Sequence, residues 1–161
     1  MSPAIPLAAD LLAFVTGGVS IGVASRDAAL NPHVVRALGL RVDGPRLVVL
    51  VPVEQARDVL DDVAANAGVA LVCSQPSTHR TCQLKGVDAR IVPLAGGDRA
   101  LAFAYRDALA RDLGSVGYAP AFCAALLDGI DGELLGIAFT PEAAFTGTPG
   151  PQAGQPLERA P

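Results

Sequence analysis

The chain has 161 residues, 51% of them apolar and 17% charged, enough for one domain with a real core and too apolar for extended disorder. Its net charge of −4 argues against general nucleic-acid binding, which requires several neutralised phosphates. Every apolar stretch is broken by Gly, Pro or charge well short of the roughly 20 residues of a membrane span.

The opening MSPAIPLAADLLAFVTGG has no basic leader and carries Asp10. It reads as a helix over 8–15 ended by Gly17-Gly18, and not as a signal peptide. Residues 19–25 alternate as a first strand, and 26–32 (RDAALNP) form a turn broken at Asn31-Pro32. A second strand follows over 33–42, beginning at His33 just after Pro32, where a structural histidine is the ordinary reading. Val35, Ala37, Gly39 and Arg41 share one of its faces, and Val34, Arg36, Leu38 and Leu40 the other. After the Asp43-Gly44-Pro45 turn, the apolar run 46–51 reads as a strand buried on both sides.

Over 53–66 the period changes from two to 3.6. Ala56, Val59, Leu60, Val63 and Ala64 form the apolar stripe, with Arg57, Asp58, Asp61 and Asp62 outside it. Next, 69–73 and 82–94 read as two arms of an antiparallel hairpin. Helices over 98–113, with Asp98 as N-cap, and over 120–127 precede a last strand, 134–140. From Gly147 the Pro- and Gly-rich sequence reads as an extended or mobile tail, leaving a single domain over 1–146. This order lacks the regular alternation of a doubly wound sheet and has no GxGxxG after a strand. The fold class is therefore mainly β with helices (α+β), a small barrel interrupted by helical crossings.

The hairpin connection 74–81 gathers Ser74, Gln75, Ser77, Thr78, His79, Arg80 and Thr81. Such a density of donors suits an anion such as phosphate. Arg80 is the leading candidate, since a guanidinium can grip phosphate through two bonds; a surface Arg on a hairpin tip is the ordinary alternative. Ser77 and Thr78 bond phosphate or satisfy the turn backbone. His79 is a switchable donor, a haem ligand or an idle loop residue. Gln83 and Lys85 share a face on the outgoing arm; Gln83 reads as a cavity-lining candidate, and Lys85, the only Lys in the chain, also reads as an edge guard. Arg36 and Arg41, an odd number of positions apart, face opposite sides unless a bulge at Gly39 re-aims one.

Three cysteines, Cys73, Cys82 and Cys123, form no CxxC pair and fit a reducing cytoplasm. Cys73 and Cys82 flank the connection and can face each other, although small buried hydrophobes are the common case. There is no GxSxG, no HExxH and no set of His and Cys with metal spacing, so no catalytic residue and no metal site is assigned.

Residues 19–92 resemble the flavin-binding split barrel of the pyridoxamine 5′-phosphate oxidase family. The likeness is carried by GVASRDAALNPHVVRALGLRV, by its inner stretch Arg36-Ala37-Leu38-Gly39-Leu40-Arg41, and by Arg80-Thr81 leading into CQLKG. It implies a homodimer that holds FMN in clefts at the subunit interface, with basic and hydroxyl side chains on the phosphate. Arg36 and Arg41 then become phosphate-side candidates, Thr81 falls where the oxidases use Gln, and Arg57 stands near their basic pair. The C-terminal Trp and Arg that contact pyridoxal phosphate in true oxidases have no counterpart here. The resemblance thus implies an FMN-dependent oxidoreductase of another, unidentified substrate. The alternatives are a haem or tetrapyrrole binder, through His79 or His33, and a dimeric barrel without cofactor.

Overall fold

The computed structural model describes residues 5–157; the first four and last four residues of the sequence, the end of the expected tail among them, lie outside these. The chain order is α1 (Ala9–Val15), β1 (Ser20–Arg26), β2 (Pro32–Arg36), β3 (Leu40–Asp43), β4 (Arg46–Pro52), α2 (Arg57–Asn66), β5 (Val69–Ser74), β6 (Thr81–Gly86), β7 (Arg90–Val92), α3 (Asp98–Ser115), α4 (Pro120–Leu126), β8 (Leu134–Phe139) and β9 (Ala143–Thr146). The strands form two antiparallel sheets, ordered β2-β1-β5-β6-β9 and β3-β4-β8-β7. Their inner faces enclose one core, with Ile21, Leu71 and Leu84 from the first sheet and Leu47, Ile137 and Phe139 from the second. This is the expected α+β split barrel.

The chain passes between the sheets at strand breaks that periodicity does not reveal. The expected strand 33–42 is two strands. Ala37 still donates to Ile21 of the first sheet, whereas Leu38 donates to Leu50 of the second, both over 2.8–2.9 Å. The switch needs Gly39, whose φ is +143°, a region that side chains avoid. The outgoing hairpin arm breaks in the same way: β6 ends at Gly86, and β7 joins the other sheet. A Cβ on Gly86 would lie 2.6 Å from Phe139 and 2.8 Å from the Thr140 carbonyl oxygen.

The α2 helix buries Val59, Leu60 and Val63 as its pattern requires, yet Asp62 is buried too. That corrects its placement outside the apolar stripe. Asp62 Oδ2 accepts the Ser25 hydroxyl at 2.6 Å and meets His33 Nδ1 at 2.8 Å, joining α2 to β1 and β2. The spacing Val59, Asp62, Val63, Asn66 is itself a helical stripe, and so this placement was readable.

The hydrogen bond to Asp62 raises the His33 pKa, while Ser25 and His33 lower that of Asp62. The His33 contribution to stability is therefore complete below its ordinary value of 6.5 and lost as pH rises through the raised one. The Asp62 contribution holds above 3.8 and is lost as pH falls through the lowered value. Urea midpoints measured against pH should decline from mildly acidic to alkaline conditions in the native protein. In His33→Ala that decline should flatten; an unchanged slope would contradict the coupling.

The long α3 helix packs through Ala102, Tyr105, Leu109 and Leu113. The buried Tyr105 hydroxyl donates to the Val19 carbonyl at 2.8 Å. The Asp98 carboxylate accepts the Ala95 amide at 2.8 Å and Arg41 Nε at 2.7 Å. Residues 147–157 of the expected mobile tail fold back along β9, which the sequence did not reveal as a strand. Thr146 donates to Gln155 at 2.9 Å, Gly154 to Thr146 at 2.7 Å and Leu157 to Ala144 at 2.9 Å. No helix among the described residues is long and apolar enough to cross a membrane.

Candidate functional site: the outer face of the five-stranded sheet

Alternation along the five-stranded sheet sends Ile21, Val23, Leu71, Cys73, Cys82 and Leu84 into the core and every second residue outward. Antiparallel pairing then sets the outward residues in rows. One row runs Arg36, Gly22, Val72, Gln83, Phe145, and the next Val34, Ala24, Ala70, Lys85, Ala143. A third holds the hydroxyls of Ser20, Ser74 and Thr81. The centre of this surface is made of small side chains. A Cβ on Gly22 would meet no atom within 4 Å, and the flanking Val34 and Val72 are 73% and 39% exposed.

Polar groups rim this floor. Arg36 Nη1 donates to Ser20 Oγ at 2.6 Å, which lays the guanidinium along the β1 edge of the floor. Ser74 Oγ and Thr81 Oγ1 are 2.8 Å apart. On the far side, Lys85 Nζ lies 5.2 Å from the centroid of the Phe145 ring. Arg36 and Lys85 bring positive charge, and none of the residues in the three rows is acidic. In a chain of net charge −4, such a face attracts an anion, and its flat apolar floor suits a planar ring.

The donor-rich hairpin connection is arranged differently from the open cradle expected of it. Ser77 donates through its amide and its hydroxyl to the Asp112 carboxylate of α3, and Gln75 Nε2 reaches the same group at 3.3 Å. Thr78 Oγ1 donates to Gln75 Oε1 at 3.0 Å and accepts the Arg80 amide at 3.2 Å. Arg80 Nη2 lies 3.2 Å from Asp10 Oδ2, and its guanidinium stacks 4.4 Å from the centroid of the Phe14 ring. His79 is exposed at the tip with φ +59°. Gln75, Ser77 and Arg80 are thus directed at two carboxylates of the chain itself.

The remaining candidates lie apart from one another. Arg41 is held by Asp98 at 2.7 Å and Asp43 at 3.5 Å on the other sheet. Arg57 opens α2 beside a cleft lined by Glu54, Gln55 and Glu133. His33 turns inward to Asp62, so neither histidine stands on the sheet face. Of the candidates named from the sequence, that face gathers Arg36, Ser74, Thr81, Gln83 and Lys85 and leaves the others elsewhere. It adds Ser20, Gly22, Val72 and Phe145. The readable signal was in β1, where every outward position before Arg26 (Ser20, Gly22, Ala24) is small. Among the described residues no group of three or more His, Cys, Asp or Glu could hold a metal ion.

No protein-family model matches the chain, and no curated protein matches it. Solved structures do. HupZ of Group A Streptococcus is 15% identical at a TM-score of 0.53, over 92% of this chain and 100% of its own. An F420 reductase is 18% identical at 0.52, over 87% of this chain and 98% of its own. A candidate pyridoxamine 5′-phosphate oxidase from Lactobacillus delbrueckii is 13% identical at 0.53, over 87% and 93%. At these identities the likeness shows the fold, a split barrel of the pyridoxamine 5′-phosphate oxidase-like kind.

Proposed function

We propose that this split barrel binds FMN on the outer face of its five-stranded sheet, in a cleft completed by a second copy of the chain, and acts as a flavin-dependent oxidoreductase. The observation that carries the reading is the face itself: cationic, free of carboxylates, floored by Gly22, Ala24 and Val72, and edged by three hydroxyls. A flavin supplies hydride or electron transfer when bound. The chain's residues would place and surround it. Arg36 would take the phosphate with the Ser20 and Ser74 hydroxyls, since charge-assisted bonds to a guanidinium are the strong ones. Gln83 and Lys85 would bond the polar edge of the ring system. A contiguous uncovered apolar floor marks an interaction surface, and a second copy over it would exclude water and strengthen every polar contact inside.

Fluorescence titration with FMN tests this assignment. Arg36→Ala should weaken binding by about 1.5–3 kcal/mol, roughly 10- to 150-fold, whereas Arg57→Ala should leave it unchanged. Equal affinity of Arg36→Ala and the native protein would remove Arg36 from the site.

A further inference from the structure

We infer that Cys73 and Cys82 form a redox site, a dithiol that reduces a hydroperoxide and closes to a disulfide between β5 and β6. The two residues are directly opposite in register, and both side chains point into the core. Thr81 turns its backbone away from Ser74: its amide donates to Thr148 Oγ1 at 2.9 Å and its carbonyl accepts from Gly147 at 2.8 Å. The next pair along, Cys73 and Cys82, is therefore of the hydrogen-bonded kind, in which Cα atoms are about 5.5 Å apart. That spacing lies inside the range disulfides use, and both Cβ atoms are on the same side of the sheet. Opposed Cβ atoms in such a pair are about 5.5 Å apart, and closing the bond draws them in by roughly 1 Å.

The environment distinguishes the two thiols. Cys82 lines a cleft of about 230 Å³, together with Arg80, Asp10, Thr146, Thr148 and Leu157. Cys73 lies behind it, fully buried. The neighbouring Cys73 thiol and the Arg80 charge pull the Cys82 pKa down, while Cys82 and burial push that of Cys73 up. Cys82, 3% exposed and lining this cleft, is thus the thiol assigned to meet a small oxidant, and Cys73 the resolving thiol.

The Cys82 sulfur attacks the O–O bond of the hydroperoxide. An S–O bond forms, the O–O bond breaks, and the departing oxygen takes the proton that Cys82 lost, leaving as an alcohol, or as water from hydrogen peroxide. Cys73 then attacks the resulting sulfenic acid. The S–S bond forms and the S–O bond breaks, and hydroxide leaves as water with the Cys73 proton. Two thiols lose two electrons, and the hydroperoxide gains them.

The test treats the folded native chain with hydrogen peroxide, quenches by alkylation under denaturing conditions, and reads the intact mass and peptide map. The expected result is the mass of the reduced chain less about 2 Da and plus a single alkyl group, a linked Cys73–Cys82 peptide, an alkylated Cys123, and reversal by a dithiol reductant. In Cys73→Ala a 1,3-dione should trap the sulfenic acid at Cys82; in Cys82→Ala, Cys73 should stay reduced. Full alkylation of both thiols after treatment of the native chain would overturn the proposal, as would a link that forms only in unfolded protein. Oxidation of Cys73 at the native rate in Cys82→Ala would overturn the assigned order.

Discussion

Gly22→Phe should abolish flavin binding and leave the barrel folded. Position 22 is the middle of β1, between Arg36 on one neighbouring strand and Val72 on the other. Its outward side is open, since a Cβ there meets nothing within 4 Å, and the strand backbone accepts an aromatic residue readily. Within one copy of the chain the substitution therefore has little to disturb, and the unfolding free energy in urea should stay within about 0.5 kcal/mol of the native value. Above the floor the new ring would occupy the space assigned to the planar cofactor and to the facing copy. The expected loss is at least about 100-fold in FMN affinity, roughly 2.7 kcal/mol or more, accompanied by a weaker dimer. Native-like FMN binding by Gly22→Phe would move the site off this face.

The largest effect on stability should come from Phe139→Ala. Phe139 is among the fully buried side chains of greatest volume, at the end of β8 and against Gly86, where the chain leaves the first sheet. Truncation removes the transfer free energy of the ring and leaves a cavity at the seam between sheets, about 3–5 kcal/mol together. Gly86→Ala should also destabilise, because its new methyl would press on both the Phe139 ring and the Thr140 carbonyl. The double variant should lose less than the sum of the two, since removing the ring relieves one of the two clashes. Strict additivity in urea unfolding would show that the seam relaxes independently of Phe139.

Much of this fold was legible because its periods are clean. The helix at α2 and the alternation of β1, β5 and β6 follow from side-chain spacing alone. The breaks between sheets were not legible. The stretch HVVRALGLRV alternates acceptably throughout, and only the positive φ of Gly39 and the competing carbonyls of Ile21 and Leu50 divide it. The β9 strand is four residues long and is followed by Pro-rich sequence, which conceals its pairing with β6.

The site was legible in fragments. Arg36, Thr81, Gln83 and Lys85 could each be named, but the rows that join them depend on pairings such as Gly22 with Val72, far apart in the chain. The hairpin bend looked like an open anion cradle because its own residues are donors. The carboxylates that take those donors, Asp112 and Asp10, are 35 positions from Ser77 and 70 from Arg80, beyond any local pattern. Asp98 answers Arg41 in the same way across 57 positions. A donor-rich sequence becomes a binding site only where the fold leaves its donors unpartnered, and that is a tertiary property.

Sedimentation of the native chain with FMN, followed at both protein and flavin absorbance, reads cofactor binding and assembly together. The expected species is a dimer that carries flavin at one molecule per chain, with apparent affinity rising as the dimer forms. A monomer that carries no flavin at high micromolar FMN would contradict the proposed site.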